Sequence, residues 1–301
     1  MRVLVTGGTG FIGTHLVQAL ALRGDECVVV SRSGTDRWRN PNVEVISGDP
    51  TEQGDWQEHV AGADAVVNLA GQRLVEPPQR WTESRKRALV ESRVESTKRV
   101  VEAMRAAKDT PGVLVSASAI GYYGDRGSEV LSESAGAGRG FLADLSVEWE
   151  NAALDAESLA RVVLLRTGIV LDPGDGALAP LVPLFKLGLG GPWGPGDQWW
   201  SWIHRDDEIG LILFALDRDV SGPLNLTAPN PVTVDTFASA LGAALNRPAL
   251  IRAPAFAMRL AMGEMADALL GSQRVVPERA LDAGYEFSFT ELDAALSDLF
   301  G

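Results

Sequence analysis

The stretch Val3-Leu4-Val5-Thr6-Gly7-Gly8-Thr9-Gly10-Phe11-Ile12-Gly13 decides the fold of this chain. Three apolar residues run into a glycine-rich turn, after which Phe11, Ile12, Leu16, Val17 and Leu20 recur at helical spacing. A second apolar run, Val28 to Val30, follows, so the segment reads as strand, tight turn, helix, strand. Gly8, Gly10 and Gly13 stand at dinucleotide-turn spacing: one for the sharp turn, one for close approach to a pyrophosphate, one for packing helix on strand. The helix that opens there directs its N-terminal amides and positive dipole end at such an anion. Gly7, Gly8, Gly10, Phe11, Ile12 and Gly13 are therefore expected to hold a dinucleotide.

The second strand ends in Ser31-Arg32, where a carboxylate would ordinarily accept hydrogen bonds from ribose hydroxyls. An arginine suits a 2′-phosphate instead, because its guanidinium offers a fork of donors and a permanent charge. Ser31 and Ser33 add hydroxyls. NADP(H) is expected over NAD(H), the alternative being a solvated arginine at a strand end.

Working outward, Val43 to Ile46 predicts a third strand ending at Asp49, and Thr51 to His59 a polar helix. Asp49 sits where a side chain meets an adenine amino group, or is a turn aspartate. Ala65 to Leu69 predicts a fourth strand, and Leu69, Ala70 and Gly71 let the backbone pass close to the cofactor. The loop Gln72 to Gln79 holds Arg73, Glu76 and two prolines. It leads into a helix from about Arg80 to Ala107, whose charges form either a solvated face or, through Arg73 and Arg85, contacts to an anionic substrate. Val113 to Val115 predicts a fifth strand, delivering Ser116, Ala117, Ser118, Tyr122 and Tyr123 to the edge where ligands of such sheets bind. Ser118, Tyr122 and Tyr123 are the candidate substrate-facing hydroxyls; Ser116 and Ala117 are assigned to the cofactor.

Val162 to Arg166 extends the sheet, so the fold class is α/β, a doubly wound parallel sheet with right-handed crossovers. Residues 1–171 are expected to form the nucleotide domain, with sheet-completing returns near 199–227, and residues 172–301 a smaller substrate-side α/β region. Trp193, Trp199, Trp200 and Trp202 crowd together, either as the floor of a pocket for a flat ligand or as core. His204 follows them, and three histidines in the chain offer no metal-ligand spacing.

With 301 residues, 46% of them hydrophobic, the chain can bury a sizeable core. No window approaches a membrane-spanning length of apolar residues, and the N-terminus begins directly with a core strand, so a cytoplasmic protein is expected. Cys27, the single cysteine, excludes an intramolecular disulfide. Basic residues number 27 against 40 acidic, a net charge of −13, which opposes nucleic acid and anionic membranes as partners.

The glycine turn, Asn68-Leu69-Ala70-Gly71, Ser118 to Gly124 and Trp202 to Asp207 together resemble the extended short-chain dehydrogenase/reductases. More narrowly, Arg80-Trp81-Thr82, Gly121 to Gly127, Gly263 to Asp267 and Gln273-Arg274-Val275 are similar to an atypical branch, epimerase-like proteins related to nucleoside-diphosphate-sugar epimerases. The resemblance implies a Rossmann domain and hydride transfer assisted by a hydroxyl, a tyrosine that moves a proton, and a lysine four residues later. Ser118 fits the hydroxyl position. Phe141 stands where the tyrosine should be and Leu145 where the lysine should be, and neither transfers a proton.

Two functions follow. One is an NADP(H)-dependent oxidoreductase or epimerase-like enzyme on a small carbonyl or sugar-nucleotide-like substrate, with Ser118 orienting the oxygen. The other is an inactive NADP(H)-binding sensor or scaffold. A homodimer through the long helix is compatible with either.

Overall fold

A computed structural model describes residues 1–74 and 80–301. The apolar runs form a seven-stranded sheet: β1 (Arg2–Thr6), β2 (Glu26–Ser31), β3 (Val43–Ser47), β4 (Ala65–Asn68), β5 (Val113–Ala119), β6 (Arg161–Thr167) and β7 (Gly222–Leu226). Their spatial order is β7-β6-β5-β4-β1-β2-β3, and every pairing is parallel. Parallel strands need crossovers, which the helices α1 (Phe11–Arg23), α2 (Glu83–Ala106), α3 (Phe141–Leu154) and α4 (Arg205–Asp217) provide.

Both faces of the sheet are covered, which explains why its strands are apolar throughout rather than alternating with polar residues. Val3, Val5, Val67, Val115 and Val163 pack with Leu16, Val17 and Leu20 of α1 and Ile209, Leu211 and Ile212 of α4. Leu4, Val66, Leu114, Val162 and Leu164 pack on the other face with Val100, Val101 and Met104 of α2 and Ala153 of α3. Thr82 caps α2 by accepting from the Arg85 amide, so the helix starts three residues later than its charge pattern predicts. Many of its charges pair along its own surface, as Lys98 does with Glu95 and Arg99 with Glu102. The expected Thr51–His59 helix is instead a 3₁₀ turn over Asp55–Val60, because Gly54 is fully extended and restarts the chain.

Residues 203–226 belong to the first core, since Ile203, α4 and β7 all pack there. A second core gathers Leu178, Val182, Phe185, Phe237, Leu241, Leu292 and Leu296 around Trp193, Trp200 and Trp202. Trp193 and Trp200 meet edge to face at 4.9 Å, and Trp200 meets Phe237 at 4.4 Å. These three tryptophans are core, whereas Trp199 is half-buried with the Arg274 guanidinium 4.2 Å from its ring.

Gly13 fixes the angle between β1 and α1. A Cβ there would stand 2.3 Å from the Gly7 carbonyl oxygen and 2.7 Å from Gly8 Cα, both backbone atoms that cannot rotate away. Gly13→Ala should therefore destabilise the protein by about 1–3 kcal/mol in urea titrations. Gly112→Ala should change little, because its Cβ would meet nothing closer than 3.8 Å.

Candidate functional site

The chain leaves β1 toward β2 on one side and returns through β4 on the other, opening a crevice at the carboxyl ends of these two strands. Gly7 turns the backbone with a left-handed φ of +68°, and a Cβ on it would stand 2.5 Å from the Leu69 carbonyl. The sharp turn thus falls on Gly7, while Gly8 is buried beneath Val29 and serves packing. Gly10 is exposed, donates to the Gly7 carbonyl at 2.9 Å and caps α1 with no side chain. The first amides of α1, at Phe11, Ile12 and Gly13, have no acceptor within the helix and point out of its end. Main chain, dipole and missing side chains make an anion cradle, which fits a dinucleotide diphosphate.

At the tip of β2, Ser31 is buried and Arg32 exposed, with Ser31 Oγ 3.3 Å from Ser33 Oγ. A second guanidinium joins them: Arg37 Nη1 donates to the Thr9 carbonyl at 3.4 Å, directly on the glycine turn. Trp38, packed on α1, anchors that segment. Sequence reasoning stopped at Arg32, although the run Arg32, Arg37, Arg39 is visible in it. Asp49 Oδ1 accepts from both the amide and hydroxyl of Thr51, at 2.9 and 2.7 Å, the geometry of a turn aspartate.

Ala70 is buried beside Gly7, and Arg73 reaches across to Asp175 at 2.8 Å. Arg85 donates to Gln72 Oε1 and, at 2.7 Å, to the Arg73 carbonyl. Glu76 and the two prolines of this loop lie outside the described residues.

At the end of β5, Ser116 and Ser118 are buried, and Ala117 and Ala119, on the other face of the strand, are half-buried. Ser116 Oγ has no hydrogen-bond partner among the described residues. Ser118 Oγ donates to Glu150 Oε1 at 2.6 Å. Glu150 also receives two hydrogen bonds of 2.8 Å from Arg166, the residue beside Ser118 on β6. Arg166 donates in turn to the Tyr123 hydroxyl at 3.0 Å, which donates to Asn225 Oδ1 at 2.7 Å. Burial pushes the Tyr123 phenol up to about 12, against the pull of Arg166. The hydroxyls of Ser118 and Tyr123 are thus engaged inside the protein. Tyr122 lies with its ring 3.5 Å from the Arg166 guanidinium, and its own hydroxyl bonds to no described residue. Glu150, Arg166 and Asn225 escape sequence reasoning, though an arginine ending the apolar run Val162 to Leu165 signals a buried carboxylate somewhere.

Phe141 and Leu145 both lie in the first turns of α3. Leu145 is buried, and Phe141 packs edge-on to Trp81 at 5.2 Å with Lys86 Nζ 5.5 Å from its ring. Phe141, but not Leu145, borders a cavity of about 350 Å³ lined also by Trp81, Gly121, Arg139, Arg259 and Gln273. This cavity is the candidate substrate space. His204 is not part of it: its Nδ1 accepts the Asp206 amide at 3.1 Å, capping α4, and its Nε2 lies 3.3 Å from Asp298.

On the opposite face, the Glu208 carboxyl is fully enclosed. Among the described residues, Thr167 Oγ1 donates to it at 2.9 Å and Oε2 has no partner.

The sequence pattern of the NAD dependent epimerase/dehydratase family matches residues 3–226, and a domain of unknown function, DUF1731, matches residues 253–299. The chain is 40% identical over 300 residues to the epimerase family protein SDR39U1 homolog, chloroplastic, of Arabidopsis thaliana, covering 98% of this chain and 86% of that protein. It is 39% identical over 305 residues to mouse epimerase family protein SDR39U1, covering 99% of each. The crystal structure of human SDR39U1 (isoform 2) with NADPH superposes with a TM-score of 0.88 at 38% identity, covering 99% of both chains. MoeE5 in complex with UDP-glucuronic acid and NAD, at 24% identity and a TM-score of 0.77, shares the fold.

The buried Glu208 gives this region a pH signature. Desolvation pushes its pKa up to about 8 from an ordinary 4.5, so the folded protein holds a proton that the unfolded chain releases. The stability this carboxyl contributes is complete below the unfolded value and is lost as pH rises through about 8. Glu208→Gln, which cannot ionise, should gain stability over wild type progressively between about pH 5 and pH 8 in urea midpoints. A constant difference across that range would mean the carboxyl does not titrate there.

Proposed function

The chain belongs to the NAD dependent epimerase/dehydratase family, and from that premise we propose an NADP(H)-dependent oxidoreductase or epimerase-like enzyme for a small carbonyl or sugar-nucleotide-like substrate. The carrying observation is the glycine cradle at the sheet's switch point, with Arg32 and Arg37 at its adenosine end. Gly7 and Gly10 leave the main chain bare for the diphosphate, the N-terminus of α1 faces it, and the two guanidiniums fit a 2′-phosphate. The human relative crystallised with NADPH supports the same cofactor. When bound, NADP(H) supplies or accepts a hydride.

The chain's own residues bind and orient. Ala117 and Ala119 leave room at the end of β5, and the cavity beside Gly121 and Phe141 takes the substrate. Ser118 is held through Glu150 and stiffens this edge from below. Of the two tyrosines, Tyr122 keeps an unengaged hydroxyl and is the one able to donate to a substrate oxygen. Phe141 and Leu145 favour a second reading, a cofactor-binding sensor or scaffold without turnover. In either reading the protein is cytoplasmic, with a small-molecule ligand and no nucleic-acid or membrane partner, and a homodimer through α2 is open to it. Among the described residues no helix is long and apolar enough to cross a membrane.

Fluorescence titration tests the cofactor. Wild type should bind NADPH about tenfold or more tightly than NADH, and Arg32→Ala should remove most of that preference with NADH affinity unchanged. Equal affinities in the wild type would overturn the assignment. NADPH oxidation against aldehydes, ketones and nucleotide sugars then separates the two readings: turnover supports the enzyme, and tight binding without turnover the sensor.

A further inference from the structure

The helix Ala255–Met262 is apolar on every side but for Arg259, yet none of its residues is buried. Met258 and Met262, one turn apart, face inward, against the tryptophan core and the small core around Trp81. Phe256 and Leu260, on the other side, stand 74% and 76% exposed. A helix apolar all round belongs in an interior, so a single copy of this chain covers only half of it.

The surface beside it is of the same kind. Leu184, Leu187 and Leu189 are exposed, and so are Ile251 and Leu250, the latter by 84%. These segments are tied together: the Ile251 amide donates to the Gly190 carbonyl at 3.1 Å, and the Ala253 amide to the Pro192 carbonyl at 2.9 Å. Leu250 and Phe256 are six residues apart, hence within about 20 Å of each other. Seven of the eleven large apolar side chains that the described residues leave exposed thus share one region, and the other four are scattered along the chain. Together the seven expose on the order of 800 Å², the share one subunit contributes to a standard interface and more than the roughly 300–600 Å² of the largest apolar patch on a typical monomer.

Charge decides what covers this face. Residues 176–196 and 236–263 contain no Asp or Glu, in a chain of net charge −13. Two copies of so acidic a chain repel each other, and least across a face without acids. The face carries four cations, of which two are already neutralised: Arg252 pairs with Asp235 at 2.7 Å and Arg259 with Asp267 at 3.5 Å. Lys186 and Arg247 are left, short of the about four to eight basic residues that an anionic lipid surface takes.

We infer that the helix Ala255–Met262, with the segments 184–191 and 250–254 beside it, is the docking face for a second copy of this chain, the two meeting patch to patch about a twofold axis. The face is distinct from α2. Arg259 of the same helix lines the cavity described above, so the second copy borders the candidate substrate space.

Sedimentation equilibrium of the full chain tests it. Wild type should dimerise with a Kd of about 1 µM or tighter, the weak end for an interface of this size. Phe256→Glu and Leu260→Glu should each raise that Kd about a hundredfold or more, since a twofold contact buries each new charge twice. Both side chains are exposed in one copy, so the variants keep the fold. Their melting temperature should not vary with protein concentration, whereas that of wild type should rise with it. Arg87→Glu, on the exposed side of α2, should leave the dimer intact. A wild type that stays monomeric at about 100 µM, far above that Kd, overturns the inference, and co-flotation of the monomer with phosphatidylglycerol vesicles would then give the face to lipid. A wild-type dimer that Arg87→Glu dissociates and Phe256→Glu does not places the contact on α2 and overturns it equally.

Discussion

Two stretches of main chain touch where side chains would keep them apart: the turn at Gly7 and the end of β4 at Leu69. That contact closes the gap between the first and fourth strands, and the rest of the site is arranged around it. It sets the pitch of α1, through the equally close approach of Gly13 to the Gly7 carbonyl, and so aims the helix's free amides. It also holds the loop Leu69–Gln72 beside the crevice, where Gly71 and Arg93 meet. Because every atom in the contact is backbone, no rotamer change can relieve a substituent there, and the constraint is a matter of geometry rather than of affinity.

Much of this was legible in the sequence, because the dominant forces are periodic and local. The runs Val3–Val5, Val28–Val30 and Val113–Val115 are buried on both faces, as parallel strands are when helices cover them. β7 could be read at Leu224–Leu226 for the same reason, although the chain passes through a second core before reaching it. Helix starts were less legible. Thr82 moves the beginning of α2, and Gly54 replaces an expected helix by a single 3₁₀ turn, because capping and backbone freedom act through one residue and leave no period. The tryptophans were ambiguous by nature: an aromatic cluster packs a core or floors a pocket with the same residues, and Phe237, 37 residues beyond Trp200, decides between them.

The site divides along the same line. Main-chain features were visible as glycine spacing, and Arg32 as a charge at a strand tip. Pairings between distant side chains were not. Ser118 looked available, yet Glu150 takes its hydroxyl, and Glu150 is there because Arg166 needs a carboxylate on the same face of the sheet. Tyr123 looked like its neighbour Tyr122 until the fold enclosed one hydroxyl between Arg166 and Asn225 and left the other unengaged. Such assignments depend on which of two adjacent residues faces inward, and a turn between strand and helix has no pattern from which to read it.

The enclosed network sets the surroundings of Phe141 and Leu145. A buried ion pair with two hydrogen bonds to one carboxylate is costly to assemble and more costly to break, since either partner alone would be a stranded charge. Placing Ser118, Glu150, Arg166, Tyr123 and Asn225 under the crevice therefore locks the end of β5 against the ends of β6 and β7 and leaves little freedom at the crevice floor. Phe141 and Leu145 then pack as apolar residues in the first turns of α3, with Trp81 against one and the sheet side of the helix around the other. In these first turns of α3 both side chains serve packing.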